Sequence, residues 1–515
     1  MEFKSILHDA IEYAAVGEAS RAPQYFPDLN LDQIISAILA GKEEYRLEPF
    51  FFRPMRAVSA INYRLDVMRD LENEDIYNAI TAFAAGMKRI REYTGFSRTL
   101  HNSLQKKKWL LDAAGLYCET VVNLQASLAA LQFGSAGLGS FCEWLTGYIE
   151  ADGFKTLYTD TDSLSREFAG IRYSVEIEGD RVIVGEDRQY EDYCDLMNGS
   201  FGRMYDAVLD YSIRFFSDVE MCSLESRIID IVSSIYSSTF KKLEEYHAVH
   251  MDFIDRTLER FDREIQFYIS VRDYFRKLGK AGFYFTYPSV SLRKEIRLSG
   301  GYDLALAQKC KDSGGVIVPN DFTATGNERI FVLTGPNQGG KTTFARALGQ
   351  IAFFASLGCP VPCTSADVCI FDNIFTHFSA EENPVGNVGR LKEELLRLKF
   401  ILENMTTNSL VIINELFAST TSNDAYNMGK RILNRFADLD CFCLYVTHIY
   451  ELSGINSKTV SLVATVDKDG KAARTYRIVR KQADGRAYAN SIAQKYDLTY
   501  ESIKERIGHE TVSSF

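Results

Sequence analysis

The run Gly335-Pro336-Asn337-Gln338-Gly339-Gly340-Lys341-Thr342 satisfies the pattern G-x-x-x-x-G-K-[ST]. In that pattern glycines let successive backbone N–H groups converge on one point, where a helix N-terminus adds its partial positive charge. The chemistry is the holding of a nucleoside triphosphate. Lys341 is placed to reach the β- and γ-phosphates, and the Thr342 hydroxyl to ligate Mg²⁺.

Binding is half of an ATPase; hydrolysis needs a held metal and an oriented water. Ser409-Leu410-Val411-Ile412-Ile413-Asn414-Glu415 is an apolar run that ends in two polar residues. In a Walker B strand the first polar position holds the Mg²⁺ shell and the second orients or deprotonates water. Here the first is Asn414, whose amide brings no negative charge to the metal, and Glu415 is the candidate base. His448, after the apolar run Phe442–Val446 and Thr447, is a candidate for sensing the γ-phosphate or polarising water.

These residues need a scaffold. Ile330–Leu333 reads as a buried strand leading into the glycine turn, and Thr343–Leu357 as the helix leaving it. Leu410–Ile413 and Phe442–Val446 read as further strands, and Val460–Val466 with Thr475–Val479 as a hairpin turning at Asp469-Gly470. From Gly282 onward such strands alternate with helices, as in an α/β domain with a largely parallel sheet. Up to about residue 280 the pattern is helical, with apolar residues at spacings of three and four. The helical pattern over Ser223–Leu278 exceeds the length of a typical globular helix and suggests levers or bundle arms, and a β-hairpin is expected near 172–184, turning at Glu178-Gly179-Asp180.

A chain of 515 residues with 46% hydrophobic and 25% charged residues is soluble in character and long enough for two or more domains. No apolar run reaches the roughly 20 residues of a membrane span. Met1-Glu2-Phe3-Lys4 does not read as a signal peptide. Ten cysteines without a C-x-x-C pair fit reduced thiols in a cytoplasm, and Cys359 with Cys363 is not expected to bind zinc. The net charge of −11 argues against bulk electrostatic binding of nucleic acid. A local basic run, Met87–Trp109, carries seven basic residues against one acid, Lys106, Lys107 and Lys108 among them. The window Ala151–Ser200 around the hairpin holds twelve acids against five bases and would repel phosphates.

Together these residues resemble the MutS family of DNA mismatch-repair ATPases, built on an ABC-type nucleotide-binding domain. Thr334–Thr343 is close to that family's TGPNMGGKST, Val318-Pro319-Asn320-Asp321 matches its VPND, and Ser409–Glu415 is similar to its SLVLxDE strand. Thr447-His448 with Tyr450-Glu451-Leu452 resembles its THYxEL switch, and Asn62–Asp66 carries a weaker upstream likeness. The resemblance implies an α + α/β chain: a helical core and lever over residues 1–282, then a P-loop ABC-type ATPase domain over 283–515 with a C-terminal helical dimerisation segment. It implies ATP held by Gly335, Pro336, Asn337, Gln338, Gly339, Gly340, Lys341, Thr342 and Thr343, with Ile317 where an aromatic ring usually stacks on adenine. Mg²⁺ then falls to Thr342 and Asn414, and catalysis to Glu415 and His448.

There are departures. The family's G-R-G-T-S-T is here Phe417-Ala418-Ser419-Thr420-Thr421-Ser422, and its signature serine falls near Gly389 in Gly386–Arg390. The chain begins almost at the helical core, so the family's N-terminal mismatch reader is not expected. Phe141-Cys142-Glu143 has the letters of its wedge but lies in a helical pattern. The leading expectation is a cytoplasmic, homodimeric ATPase that couples nucleotide to DNA or a DNA structure. The alternative is a slow nucleotide switch acting on a protein partner.

Overall fold

A computed structural model describes residues 3–8, 21–179, 181–186, 220–378, 390–417, 420–466, 474–483 and 498–510. The expected turns at Asp180 and Asp469-Gly470, and Gly386–Gly389, Ala418 and Ser419, lie outside them. The chain divides into two compact units: residues 1–3, 72–133 and 138–262, and residues 4–71, 134–137 and 263–515.

In chain order the first half gives helices α1 (Leu31–Leu39), α2 (Val58–Asp70), α3 (Glu74–Thr99), α4 (Ser103–Ala129), α5 (Ala136–Glu150) and α6 (Asp152–Ala169). Strands β1 (Tyr173–Glu178) and β2 (Arg181–Glu186) follow, then α7 (Ser223–Ile235), α8 (Ser237–His250) and α9 (Arg256–Lys280). The expected helical pattern over 223–278 is divided among three helices, and periodicity alone did not show the breaks. Tyr236 leaves helical geometry at φ −101°, ψ 42°. The Asp255 carboxylate then accepts the N–H of Thr257 at 2.7 Å, which starts α9 afresh.

The first unit is built on α3 and α4. Both start on an asparagine cap: Asn73 accepts from the Asp75 N–H and Asn102 from the Gln105 N–H. The three-residue link between them makes them antiparallel neighbours. Phe141 is fully buried and stacked on Phe261, a core residue. Lys107 is tied to Glu244 at 2.7 Å and Lys108 to Asp112, so much of the basic run is neutralised within its own unit. β1 and β2 pair antiparallel, from Tyr173↔Glu186 to Glu178↔Arg181.

The second half contributes β3 (Ser289–Ser291), β4 (Ile296–Gly301), α10 (Leu304–Ser313), β5 (Asn320–Ala324), β6 (Ile330–Thr334), α11 (Lys341–Ser356), β7 (Ser365–Cys369) and β8 (Ile374–Phe378). It continues with α12 (Arg390–Asn404), β9 (Leu410–Asn414), α13 (Ser422–Leu439), β10 (Phe442–Val446), β11 (Thr459–Val466), β12 (Arg474–Arg480) and α14 (Tyr500–Glu510). The larger sheet runs β12-β11-β6-β10-β9-β8. Its neighbours from β11 to β8 are parallel, and β12 is antiparallel to β11. A second, mixed sheet runs β3-β7-β4-β5. Every residue of β6, β9 and β10 is buried, as parallel strands covered on both faces require. One face carries Val332, Ile413, Leu433, Phe436 and Tyr445 in a common core. Helix α11, buried along most of its length, packs against strands of both sheets.

Residues 4–71 fold with this second unit. The guanidinium of Arg64, 1% exposed, donates to the carbonyls of Leu7 and Leu357, and the Tyr63 hydroxyl to that of Ser5. A buried guanidinium left without those carbonyls would carry the full cost of its desolvation, so the N-terminal segment is held in place. Cys359 and Cys363 are buried, and burial pushes both thiols up to about 12, so they are protonated core residues. Among the described residues no helix is long and apolar enough to cross a membrane.

Candidate nucleotide site

β6 runs straight into the glycine turn, and the turn is tight for steric reasons. Gly335 has φ +132°, and a Cβ there would lie 2.8 Å from Cβ of Ala464. A Cβ on Gly339 would lie 2.7 Å from Pro336 Cγ and 3.0 Å from its carbonyl oxygen. Gly340 starts α11 from the left-handed region at φ +88°. Residues 335–340 thus bend the chain from strand to helix around a concavity. The α11 N-terminus lies at its floor.

Lys341 is buried, and its Nζ donates to the Gly335 and Pro336 carbonyls at 3.0 and 2.8 Å. Burial pulls its ammonium below the ordinary lysine range, while the Glu415 charge acts in the opposite direction. The Thr342 hydroxyl donates to Asn414 Oδ1 at 3.2 Å. His448 Nε2 lies 3.2 Å from Glu415 Oε1. Sheet register makes these meetings. β9 and β10 are parallel neighbours with Val446 opposite Asn414, so Glu415 and His448 leave the same sheet edge side by side. β6 pairs with β10 on its other side and delivers the turn to that edge.

A cavity of about 500 Å³ opens there, lined by Ile317, Pro336, Asn337, Gln338, Gly340, Lys341, Thr342, Thr343 and Glu415. Gly335 and Gly339 shape the loop rather than the wall. Asn414 reaches the cavity through Thr342, and His448 through Glu415.

Sequence reasoning missed several residues that line this cavity, Tyr302, Asp303 and Tyr476 among them. Tyr476 lines the cavity from β12 with φ +56°. The side chain of Asn320 holds it there: Nδ2 donates to the Tyr476 carbonyl at 3.0 Å, and Oδ1 accepts the Ile478 N–H at 2.7 Å. Glu394 on α12, also missed, does not line the cavity but meets the backbone two residues after Glu415. Its carboxylate accepts the Phe417 N–H at 3.2 Å. Neither Tyr476 nor Glu394 lies in a phosphate-binding motif; each is brought in by pairing between distant segments.

Beside the site, His377 on β8 is 2% exposed, with no hydrogen-bond partner for Nδ1 among the described residues. Burial first, and the Arg397 charge second, lower its pKa from 6.5 to about 4. Because the neutral ring is favoured when folded, the native state binds fewer protons than the unfolded chain between those values. Its stability is therefore whole above pH 6.5 and falls as the pH drops towards 4, by up to about 3 kcal/mol from this group. Between pH 7.5 and 4.5, urea unfolding of His377→Phe should lose roughly 2 kcal/mol less than the parent chain. Equal losses would contradict the assignment.

Residues 331–508 match the family model MutS domain V. A stretch of 140 residues, 27% of this chain and 15% of the relative, is 37% identical to DNA mismatch repair protein msh-2 of Neurospora crassa. A stretch of 219 residues, 42% of this chain and 24% of the relative, is 29% identical to DNA mismatch repair protein MutS of Bacillus cytotoxicus. Over 161 residues, 30% of this chain and 17% of the relative, it is 34% identical to DNA mismatch repair protein MSH2 of Saccharomyces cerevisiae. The matched region thus spans less than a quarter of the length of each of these relatives.

Proposed function

We propose that the chain, which matches the MutS family through its domain V, is an ATPase coupling nucleotide to the binding of DNA or a DNA structure. The observation that carries the reading is the single cavity where Lys341, Thr342 and Glu415 converge, with Asn414 and His448 one contact behind. Its residues fit a nucleotide. A buried ammonium turned onto two carbonyls of its own loop lines the cavity, where phosphate oxygens would offer it a better partner. The Thr342 hydroxyl and the Asn414 amide oxygen are the hard donors that would hold Mg²⁺. When bound, that ion neutralises charge on the phosphates.

The chain's own residues do the rest. The loop N–H groups and Lys341 bind and orient the triphosphate. Glu415 orients a water and takes its proton, and His448 fixes the direction of the Glu415 carboxylate. Asn414 brings no charge to the metal, so turnover is slow. Tyr476 and Ile317 wall the cavity where the rest of the nucleotide lies. In this reading residues 283–515 form the P-loop ABC-type domain and 1–282 the helical core and lever. The protein works in the cytoplasm as a two-fold homodimer joined near the Thr420–Asp424 segment.

DNA as the partner is supported by the relatives, all three of which are named DNA mismatch repair proteins. The net charge of −11 and the pairing of Lys107 and Lys108 do not help it. Fluorescence anisotropy against duplex, mismatched, branched and single-stranded DNA, with and without ATP at physiological salt, is the test. ATP should change the affinity for at least one of the four by about fivefold or more. No binding to any of them would remove DNA from the reading.

A further inference from the structure

β9 leaves the sheet through two residues in the left-handed region, Glu415 at φ 57° and Phe417 at φ 64°. Neither is glycine, and a side chain at such a φ is held only where its surroundings over-determine it. Three contacts do so here. The Glu415 N–H donates to the Val446 carbonyl at 2.9 Å, which ties it to β10. The Phe417 side chain, 1% exposed, is locked in the core with Leu433 and Phe436. Finally, the Phe417 N–H donates to the buried carboxylate of Glu394, 23 residues earlier in the chain.

The helix that carries Glu394 is itself held. Three residues further along α12, Arg397 donates to the Asp28 carboxylate, which also accepts from Thr376 Oγ1 of β8 at 2.6 Å. A buried carboxyl is costly unless it is hydrogen-bonded, and this one accepts an N–H two residues after Glu415.

We propose that Glu394 is a positioning residue for Glu415. By accepting the Phe417 N–H it fixes the strained exit of β9, and so the direction in which the Glu415 carboxylate enters the cavity. It touches neither the nucleotide nor the attacking water. The inference rests on the ATPase reading above, so the test must separate the two.

ATP turnover and ATP affinity would be measured for the full chain, for Glu394→Gln and for Glu394→Met. Glutamine keeps an oxygen that accepts the Phe417 N–H; methionine fills similar space without one. Glu394→Met should lower kcat roughly 10- to 100-fold, with ATP affinity within about twofold of the parent, because displacement of a reacting group costs rate rather than binding. Glu394→Gln should keep at least about a third of parental turnover. Equal turnover in parent and Glu394→Met, a matched fall in affinity, or no rescue by glutamine would overturn the proposal. A parent chain that binds ATP and never hydrolyses it would instead refute the ATPase reading. Should the methionine variant fail to fold, amide exchange in the parent decides. The Phe417 N–H should be strongly protected, and exchange at the rate of an unstructured peptide would overturn the role given to Glu394.

Discussion

Replacing Lys341 with alanine should weaken ATP binding well over tenfold, about 1.4 kcal/mol or more, because the cation buried at the glycine turn is removed. Its ammonium now rests on two loop carbonyls and is pulled below the usual lysine range by burial. An arriving triphosphate would supply the negative charge that burial denies it. Lys341→Met, which keeps the apolar stem, should lose affinity to a similar extent, and this separates the charge from packing. Calorimetry showing unchanged affinity in both variants would end the phosphate-binding assignment.

The second large effect is expected at Glu415. Glu415→Gln should lower turnover by roughly a hundredfold or more while leaving ATP affinity intact, since it removes a proton acceptor and preserves shape. The variant should accumulate with ATP bound, visible as unhydrolysed nucleotide after rapid gel filtration. His448 lies 3.2 Å from this carboxylate, and on the proposed reading it works through it, so His448→Ala should cost less than Glu415→Gln. Parental turnover in Glu415→Gln would show that another group activates water.

Both expectations concern residues whose importance is written locally. Gly335 to Thr342 is one unbroken segment, and its requirements are steric ones met residue by residue: positive φ at Gly335 and Gly340, and no room for a Cβ at Gly335 or Gly339. A string of residue types suffices to read such a turn. The strands Ile330–Thr334, Leu410–Asn414 and Phe442–Val446 were legible for a similar reason, since a parallel strand covered on both faces is a short continuous apolar run. Helical continuity was not. The apolar spacing runs on through Ser223–Leu278, while the breaks at Tyr236 and Asp255 depend on backbone geometry and a cap that periodicity does not register.

What the sequence determined by itself was the cradle, the strand that feeds it, and the residue types able to hold phosphate, metal and water. What only the tertiary structure decided was which of them meet. Asn414 reaches Thr342 across 72 positions, and His448 reaches Glu415 across 33, because parallel pairing sets Val446 opposite Asn414. Asn320 holds the backbone of Tyr476 from 156 positions away, and Glu394 holds that of Phe417 from a separate helix. These are relations of register and packing between distant segments. A one-residue slip in pairing would dissolve them without changing a letter of any motif, so no local pattern records them.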